Sequence, residues 1–397
     1  VTSPDGILIV GASAAGLSTA EALRRHGYQG RLTLVDAEPH LPYDRPPLSK
    51  QVLAGAWEPA RARLRTEEQL AGLAAEFVRG EAAVALDAAR REVTTASGRV
   101  LRGEVVVVAT GLTSRRLPGQ DGPAGVHTLR GLDDALTLRA HLIGGTRLVV
   151  VGEGVLGAEI AATARGMGLE VTLAGVGQAP LHDQLGATIG AKLGRTHAER
   201  GVRLRLGTAV DALTGEGGRV TGVRLEGGEV LPADAVVVAI GSRPAIGWLE
   251  GSGLTLGDGV ECDSRCRAAE GVYAVGDMAS FEHEGLGRRL RLENRTNATE
   301  QAQTVAANIL GADRPYTPIP YFWTDQYDVK IQAHGWPSPA AEVTLAEGDP
   351  EQNRFAVLYR EGGRVTGVLG WNMPKQARLL RQQELGSWQA ASPLTPA

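Results

Sequence analysis

Two glycine-rich turns carry the first chemistry in this chain. Gly11-Ala-Ser-Ala-Ala-Gly16 and Gly152-Glu-Gly-Val-Leu-Gly157 each follow an apolar run and precede a helical one. A helix N-terminus presents unpaired N–H groups and a partial positive charge, so it holds a pyrophosphate, and glycine lets phosphate approach the backbone. In the first turn Ser13 stands where the pattern prefers glycine, with some crowding, and Ala14 and Ala15 follow it. Asp36 comes twenty residues after Gly16, where an acid hydrogen-bonds a ribose. The second turn is complete in Gly152, Gly154 and Gly157, with Val155 and Leu156 inside it. Its ribose acid belongs near Gly175, but the run there is Leu173-Ala-Gly-Val-Gly-Gln178. That run has no Asp or Glu, and no Arg or Lys to receive a 2′-phosphate. A lost hydrogen bond costs on the order of 1 kcal/mol. A nicotinamide dinucleotide is therefore expected to bind there weakly or without selectivity.

Lys50 and Glu159 are the candidate catalytic pair. Lys50 ends the proline-rich stretch Leu41-Pro-Tyr-Asp-Arg-Pro-Pro-Leu-Ser-Lys50, and Glu159 follows the second glycine turn by two residues. If the two nucleotide domains face each other, both side chains point into the cleft where hydride crosses. A cation there stabilises negative charge on a reduced flavin ring. An acid near a helix N-terminus is also favoured by the dipole alone. Arg288, Arg289, Arg291 and Arg295 form a basic cluster, read either as a solvated face or as a dock for an acidic electron carrier. The only cysteines, Cys262 and Cys266, sit in a polar, loop-like run. They are read as two reduced thiols, since two thiols without nearby His do not complete a metal site. No His pair has ligand spacing and no Gly-x-Ser-x-Gly elbow occurs, so neither a metal site nor that hydrolase chemistry is expected.

These residues require a particular scaffold. Apolar runs predict a strand over 6–10, a helix over 17–25 and a strand over 31–35, then a buried strand over 105–109 that ends in Ala109-Thr110-Gly111. The pattern repeats as a strand over 147–151, a helix over 158–166 and strands over 170–174 and 236–240, the last leading to Gly241. A strand over 272–275 leads into Gly276-Asp277, and aromatics and alternating strands fill the last stretch. The expected fold class is α/β: two Rossmann-like dinucleotide-binding domains on the glutathione-reductase plan, plus a C-terminal α+β domain. The expected bounds are 1–113 and 245–318 for an interrupted first nucleotide domain, 114–244 for the second nucleotide domain and 319–397 for the last. A net charge of −4 implies no global attraction to nucleic acid. No apolar run approaches the ~18 residues of a membrane helix. With no signal-peptide pattern, cytoplasm is the expected compartment.

In their order, six segments carry a resemblance over nearly the whole chain. They are Asp44-Arg-Pro-Pro-Leu-Ser-Lys50, Ala109-Thr-Gly111, the second glycine turn with Glu159, Tyr273-Ala-Val-Gly-Asp277, Asn297-Ala-Thr-Glu-Gln301 and Tyr321-Phe-Trp-Thr-Asp-Gln-Tyr327. The chain resembles the FAD-dependent ferredoxin reductases of bacterial oxygenase systems, the group containing putidaredoxin reductase and the biphenyl dioxygenase reductase. The wording of the last two segments reads as actinobacterial. The resemblance implies FAD in the first site and NAD(P)H in the second. Electrons would then pass singly to a small iron–sulfur ferredoxin that supplies a cytochrome monooxygenase or dioxygenase. It carries FAD contacts onto Ala15, Asp36, Arg45, Lys50, Ala83, Arg130, Asp277 and Arg295, and sets Trp323 beside the flavin ring. Ala109, Thr110, Gly111, Gly276, Glu293 and Gly241 complete the cofactor-binding candidates. Disulfide reductases on this plan carry a cysteine pair in the 41–50 segment. Here it has none, so electrons must leave for an external acceptor.

Three departures stand out against that family. Gly175 replaces a Glu, which leaves NADH versus NADPH preference open. Arg295 replaces Trp or Val beside the flavin, a cation expected to raise the flavin potential. Asp44 replaces a Glu. Two other functions compete with the leading one: an oxidase with a repurposed second site, and an FAD-holding redox-signalling protein. Monomer and homodimer are both open.

Overall fold

The computed structural model describes residues 4–386. Its first sheet is built from continuous apolar runs. Val105–Val108 and Gly6–Val10 are buried along their whole length, as strands covered on both faces must be. The order is Arg267–Ala269, Val272–Ala274, Val105–Val108, Gly6–Val10, Arg31–Asp36, Glu76–Arg79. All neighbours are parallel except the first pair. Val272 is in register with Val106, so the chain returns to this sheet after the second nucleotide unit.

The second sheet repeats the plan with Arg203–Leu206, Glu170–Gly175, Arg147–Val151, Ala235–Val238 and Val126–His127, all parallel. Leu112–Ser114 and Ser242–Pro244 pair antiparallel where the chain leaves for this unit and comes back. The third sheet is antiparallel, in the order Tyr321–Gln326, Val329–Gly335, Arg364–Trp371, Arg354–Glu361, Glu342–Asp349, and the helix Pro374–Leu385 lies against it. The architecture is therefore the expected α/β one with a C-terminal α+β unit. Among the described residues no helix is long and apolar enough to cross a membrane.

Two cores bind these units together. Leu48, Val52 and Leu53, which flank Lys50, are buried with Ile160, Ala161 and Ala164 of the second nucleotide unit. Phe355, Tyr359 and Trp371 of the third sheet pack with Leu185, Ile189 and Leu193 of the helix His182–Glu199. The Tyr359 hydroxyl donates to the Leu185 carbonyl at 2.8 Å.

Several bounds differ from the sequence reading for local reasons. The glycine-turn helices run Ala14–Arg25 and Val155–Gly166, three residues earlier than expected, because Ser13 and Gly154 are themselves their N-caps. Ser13 has φ −78°, an extended conformation open to any residue, so serine there causes no backbone strain. The strand expected over 236–240 runs Ala235–Val238, after which the Ala239 N–H makes a last bond to the Val151 carbonyl at 2.7 Å and the chain turns at Gly241 with φ +94°. Cys262 ends the strand Gly259–Cys262, and Cys266 lies in the polar turn that follows, with φ +62°. Both are buried and unpaired, and the Cys266 hydrogen bond together with burial pushes the Cys262 thiol up.

One buried histidine sets a pH dependence. His334 stacks on Tyr321, and burial, aided by Arg381 and Arg378, pulls its pKa down to about 4. The unfolded chain binds this proton near pH 6.5, so His334 favours the fold above that value. As pH falls from about 6.5 to 4 it should remove on the order of 1–3 kcal/mol of stability. Urea unfolding across this range should show a steeper acid loss for the parent chain than for His334→Gln.

Candidate active site

Lys50 and Glu159 meet. The segment before Lys50 closes in a π-type turn, with the Val52 N–H donating to the Pro47 carbonyl at 3.0 Å. That turn aims Lys50 and Ser49 at the helix Val155–Gly166. Lys50 Nζ lies 2.7 Å from Glu159 Oε2, and the Ser49 hydroxyl donates to the same oxygen at 2.6 Å. Thr163 stands one helical turn beyond Glu159 on the same face, and its hydroxyl donates to the Ser49 carbonyl at 2.7 Å. The other carboxylate oxygen accepts from Thr324 Oγ1 at 2.9 Å. Thr324 continues to Gln326, then to His197 and Tyr327. Burial holds the His197 pKa down, while the Gln326 contact opposes it. Side chains alternate along a strand, so Trp323 faces away from Glu159, where its ring stacks on Tyr321.

The first crevice opens at the carboxyl ends of the first sheet, where ligands of such folds bind. Gly11 has φ +102°, and a Cβ there would strike the Ala109 carbonyl. Asp36 accepts the Ala12 N–H at 2.5 Å and the Glu38 N–H at 2.8 Å. Burial nevertheless raises its pKa against these two bonds. Ala83 begins a strand two residues after Glu81, whose N–H bonds the Asp36 carbonyl at 2.9 Å. Arg45 reaches Glu38 Oε1 and the Arg130 carbonyl, both at 2.7 Å. Arg130 lies 3.6 Å from Asp277. Burial raises the Asp277 pKa, with Arg130 opposing. Thr110 Oγ1 donates to the Ala245 carbonyl and the Ala245 N–H to the Gly111 carbonyl, each at 2.9 Å.

These residues fit FAD. No side chain among the described residues caps the helix that starts after Ser13. Arg130 Nε is buried with no partner among them. A Cβ on Gly276 would stand 2.9 Å from that of Ala15, so glycine keeps the slot open.

Two expectations for this side change. Arg295 Nε donates to Asp44 Oδ1 at 2.7 Å, so its charge is offset by a carboxylate. Two departures from the family pattern therefore answer each other. The basic cluster is also divided. Arg291 pairs with Asp258 and Glu293, Arg289 with Glu282, and Arg288 lies over the Trp336 ring. Glu293 also accepts from Ser242 at 2.9 Å. Intramolecular acids take most of this charge, leaving no free basic face of four arginines.

The second turn repeats the first. Gly152 has φ +113°, and a Cβ there would strike the Ala239 carbonyl. Gly154 is an N-cap with no capping side chain, and Val155 and Leu156 open the helix, half-buried. The end of the strand at Gly175 is not bare, because the Glu153 carboxylate lies over it and accepts the Gly177 N–H at 2.7 Å. Ser49, Thr163, Thr324 and Glu153 are site residues that the sequence reading missed. Only Thr163 had a local signal, its spacing from Glu159. The other three meet their partners through tertiary contact. Lys50→Met should leave Glu159 buried without its cation and cost about 3–5 kcal/mol of stability. Lys50→Met with Glu159→Leu should cost less than Lys50→Met alone, as read from urea midpoints of the four members of the cycle.

Comparison with known proteins agrees with this geometry. Residues 5–302 match the pyridine nucleotide-disulphide oxidoreductase family, and residues 321–385 match the reductase C-terminal family. Rhodocoxin reductase of Rhodococcus erythropolis is 34% identical over 396 residues, covering 98% of this chain and 91% of the relative. The benzene 1,2-dioxygenase system ferredoxin–NAD(+) reductase subunit of Pseudomonas putida is 37% identical, covering 94% and 90%. These sources do not single out one bacterial group. The crystal structure of the covalent putidaredoxin reductase–putidaredoxin complex aligns with a TM-score of 0.90 at 33% identity, covering 96% of this chain and 93% of that one. The chain belongs to the pyridine nucleotide-disulphide oxidoreductase family, within its ferredoxin reductases of oxygenase systems.

Proposed function

We propose that this protein is an NAD(P)H-dependent ferredoxin reductase that passes electrons through FAD to a small iron–sulfur ferredoxin serving a cytochrome monooxygenase or other oxygenase. The observation that carries this reading is the buried Lys50–Glu159 pair, which joins a cysteine-free segment of the first nucleotide unit to the helix of the second. The relatives named for ferredoxin reduction support the acceptor. FAD, held in the first crevice, would supply the means of converting a two-electron hydride donor to one-electron delivery.

The chain's own groups define the rest. Lys50 presents fixed positive charge where negative charge develops. Glu159 and Ser49 hold its ammonium in place, and Leu48 and Val52 beside it are buried and keep water away. Arg45, Arg130 and Asp277 line the first crevice, and Asp36 meets a ribose there. Residues 1–113 with 245–318, 114–244 and 319–397 are the domain bounds of this reading, and 387–397 lie outside the described residues. Two unpaired cysteines are at home in a reducing cytoplasm.

Anaerobic titration of the yellow holoprotein with NADH and then NADPH tests the donor. Loss of flavin absorbance with at least one is expected, and no bleaching at millimolar concentration would overturn the reading. Ferredoxin-dependent reduction of cytochrome c should exceed peroxide formation, whereas the reverse would mark an oxidase. Asp44→Asn should leave Arg295 uncompensated and shift the flavin midpoint potential upward. Asp44→Asn with Arg295→Gln should return it toward the parent value in spectroelectrochemical titration.

A further inference from the structure

The two glycine turns are equivalent contact by contact. The Gly11 N–H donates to the Val35 carbonyl and the Gly152 N–H to the Ala174 carbonyl, both at 2.7 Å. The Ala109 and Ala239 carbonyls press on Gly11 and Gly152 in the same way. Ser13 and Gly154 are the two N-caps. Ala12 therefore corresponds to Glu153, Asp36 to Gly175, and Glu38 to Gly177.

The two sites solve one problem with different residues. In the first, the Asp36 carboxylate grows from the strand end and accepts the N–H two residues later, from Glu38. In the second, the strand end has no side chain, yet a carboxylate accepts the corresponding N–H, that of Gly177, at 2.7 Å. It comes from Glu153, inside the glycine turn. A Cβ on Gly175 would collide with Glu153 Oε2, and one on Gly177 would come within 2.5 Å of Oε1. The carboxylate thus fills the space that a strand-end side chain would use, and both glycines are needed to admit it. Among the described residues no cation pairs with Glu153, which is half-buried.

We propose that Glu153 is the ribose-recognising acid of the second site, with the carboxylate moved from the strand end to the glycine turn. It accepts hydrogen bonds from the adenosine ribose hydroxyls and repels a 2′-phosphate, so the site selects NADH. This rests on reading the second turn as the nicotinamide dinucleotide site. It replaces the expectation of unselective binding drawn from Gly175.

The test is equilibrium binding to oxidised holoprotein, without turnover. ADP-ribose and 2′-phospho-ADP-ribose are titrated calorimetrically into the parent chain, Glu153→Gln, Glu153→Ala and Glu153→Ala with Gly175→Asp. The parent should favour ADP-ribose by roughly ten- to a hundredfold, the size of a charge-assisted hydrogen bond. Glu153→Gln, which keeps an acceptor for the Gly177 N–H, should collapse that ratio towards one. The double variant restores an acid at the strand end and should recover the preference lost in Glu153→Ala. An unchanged ratio in Glu153→Gln overturns the assignment. A parallel fall in both affinities marks a structural role and overturns it as well. If the parent binds neither probe, the dinucleotide reading of the turn itself fails, and the assignment with it.

Discussion

The structure depends on one buried ion pair. Glu159 is held within reach of Lys50, Ser49 and Thr324, which belong to the first nucleotide unit and the third sheet, while Glu159 itself lies on the second unit. Removing two charges from water costs several kcal/mol per ion, and their attraction offsets this only when geometry and extra hydrogen bonds are good. Here one carboxylate oxygen takes the ammonium and one hydroxyl, and the other takes a second hydroxyl. Such a junction tolerates little displacement. It sets the register of three units at one point.

Packing reinforces that register. Leu48 and Val52, which flank Lys50, belong to the same core as Ile160 and Ala164, which follow Glu159 on its helix. The apolar contacts supply non-directional adhesion, and the polar contacts choose one alignment among many. Tyr359 and Leu185 make a comparable tie between the third sheet and the second unit. The antiparallel strands Leu112–Ser114 and Ser242–Pro244 complete the frame where the chain passes out and back.

Arg295 and Gly175, read from the sequence as departures, each meet a compensating partner. Arg295 alone would add a positive charge beside the first crevice, but Asp44 takes it. Gly175 alone would remove an acid from the second, but Glu153 occupies the vacated space. In each case the frame of the site is kept and the side chain that supplies the charge changes. Charge balance at a crevice is a property of the whole cluster of groups within a few ångströms, so one substitution read singly has an uncertain sign.

Much of the scaffold was legible because its signals are local. An apolar run, a glycine turn and a following helix lie within a few residues of each other, and parallel buried strands such as Val105–Val108 need nothing more to be recognised. Asp36 at its strand end and Glu159 on the first helix turn stand where local spacing set them, for the same reason. The missing part is long-range. Arg295 and Asp44 are 251 residues apart, so their pairing is invisible to spacing, whereas Lys50 and Glu159, 109 apart, could be read together only by supposing that two nucleotide units face each other. Thr324 and Ser49 lie inside quoted segments, but only their contacts with Glu159 single them out. Cys262 and Cys266 are buried although their run is polar, and Ser264 between them is buried as well, so a polar run alone does not report exposure. Sequence alone determined the two glycine turns and the helices that follow them, because backbone geometry there is set by adjacent residues. Tertiary structure decided which charges are paired and which acid serves the second ribose, because electrostatics depends on distance in space and not along the chain.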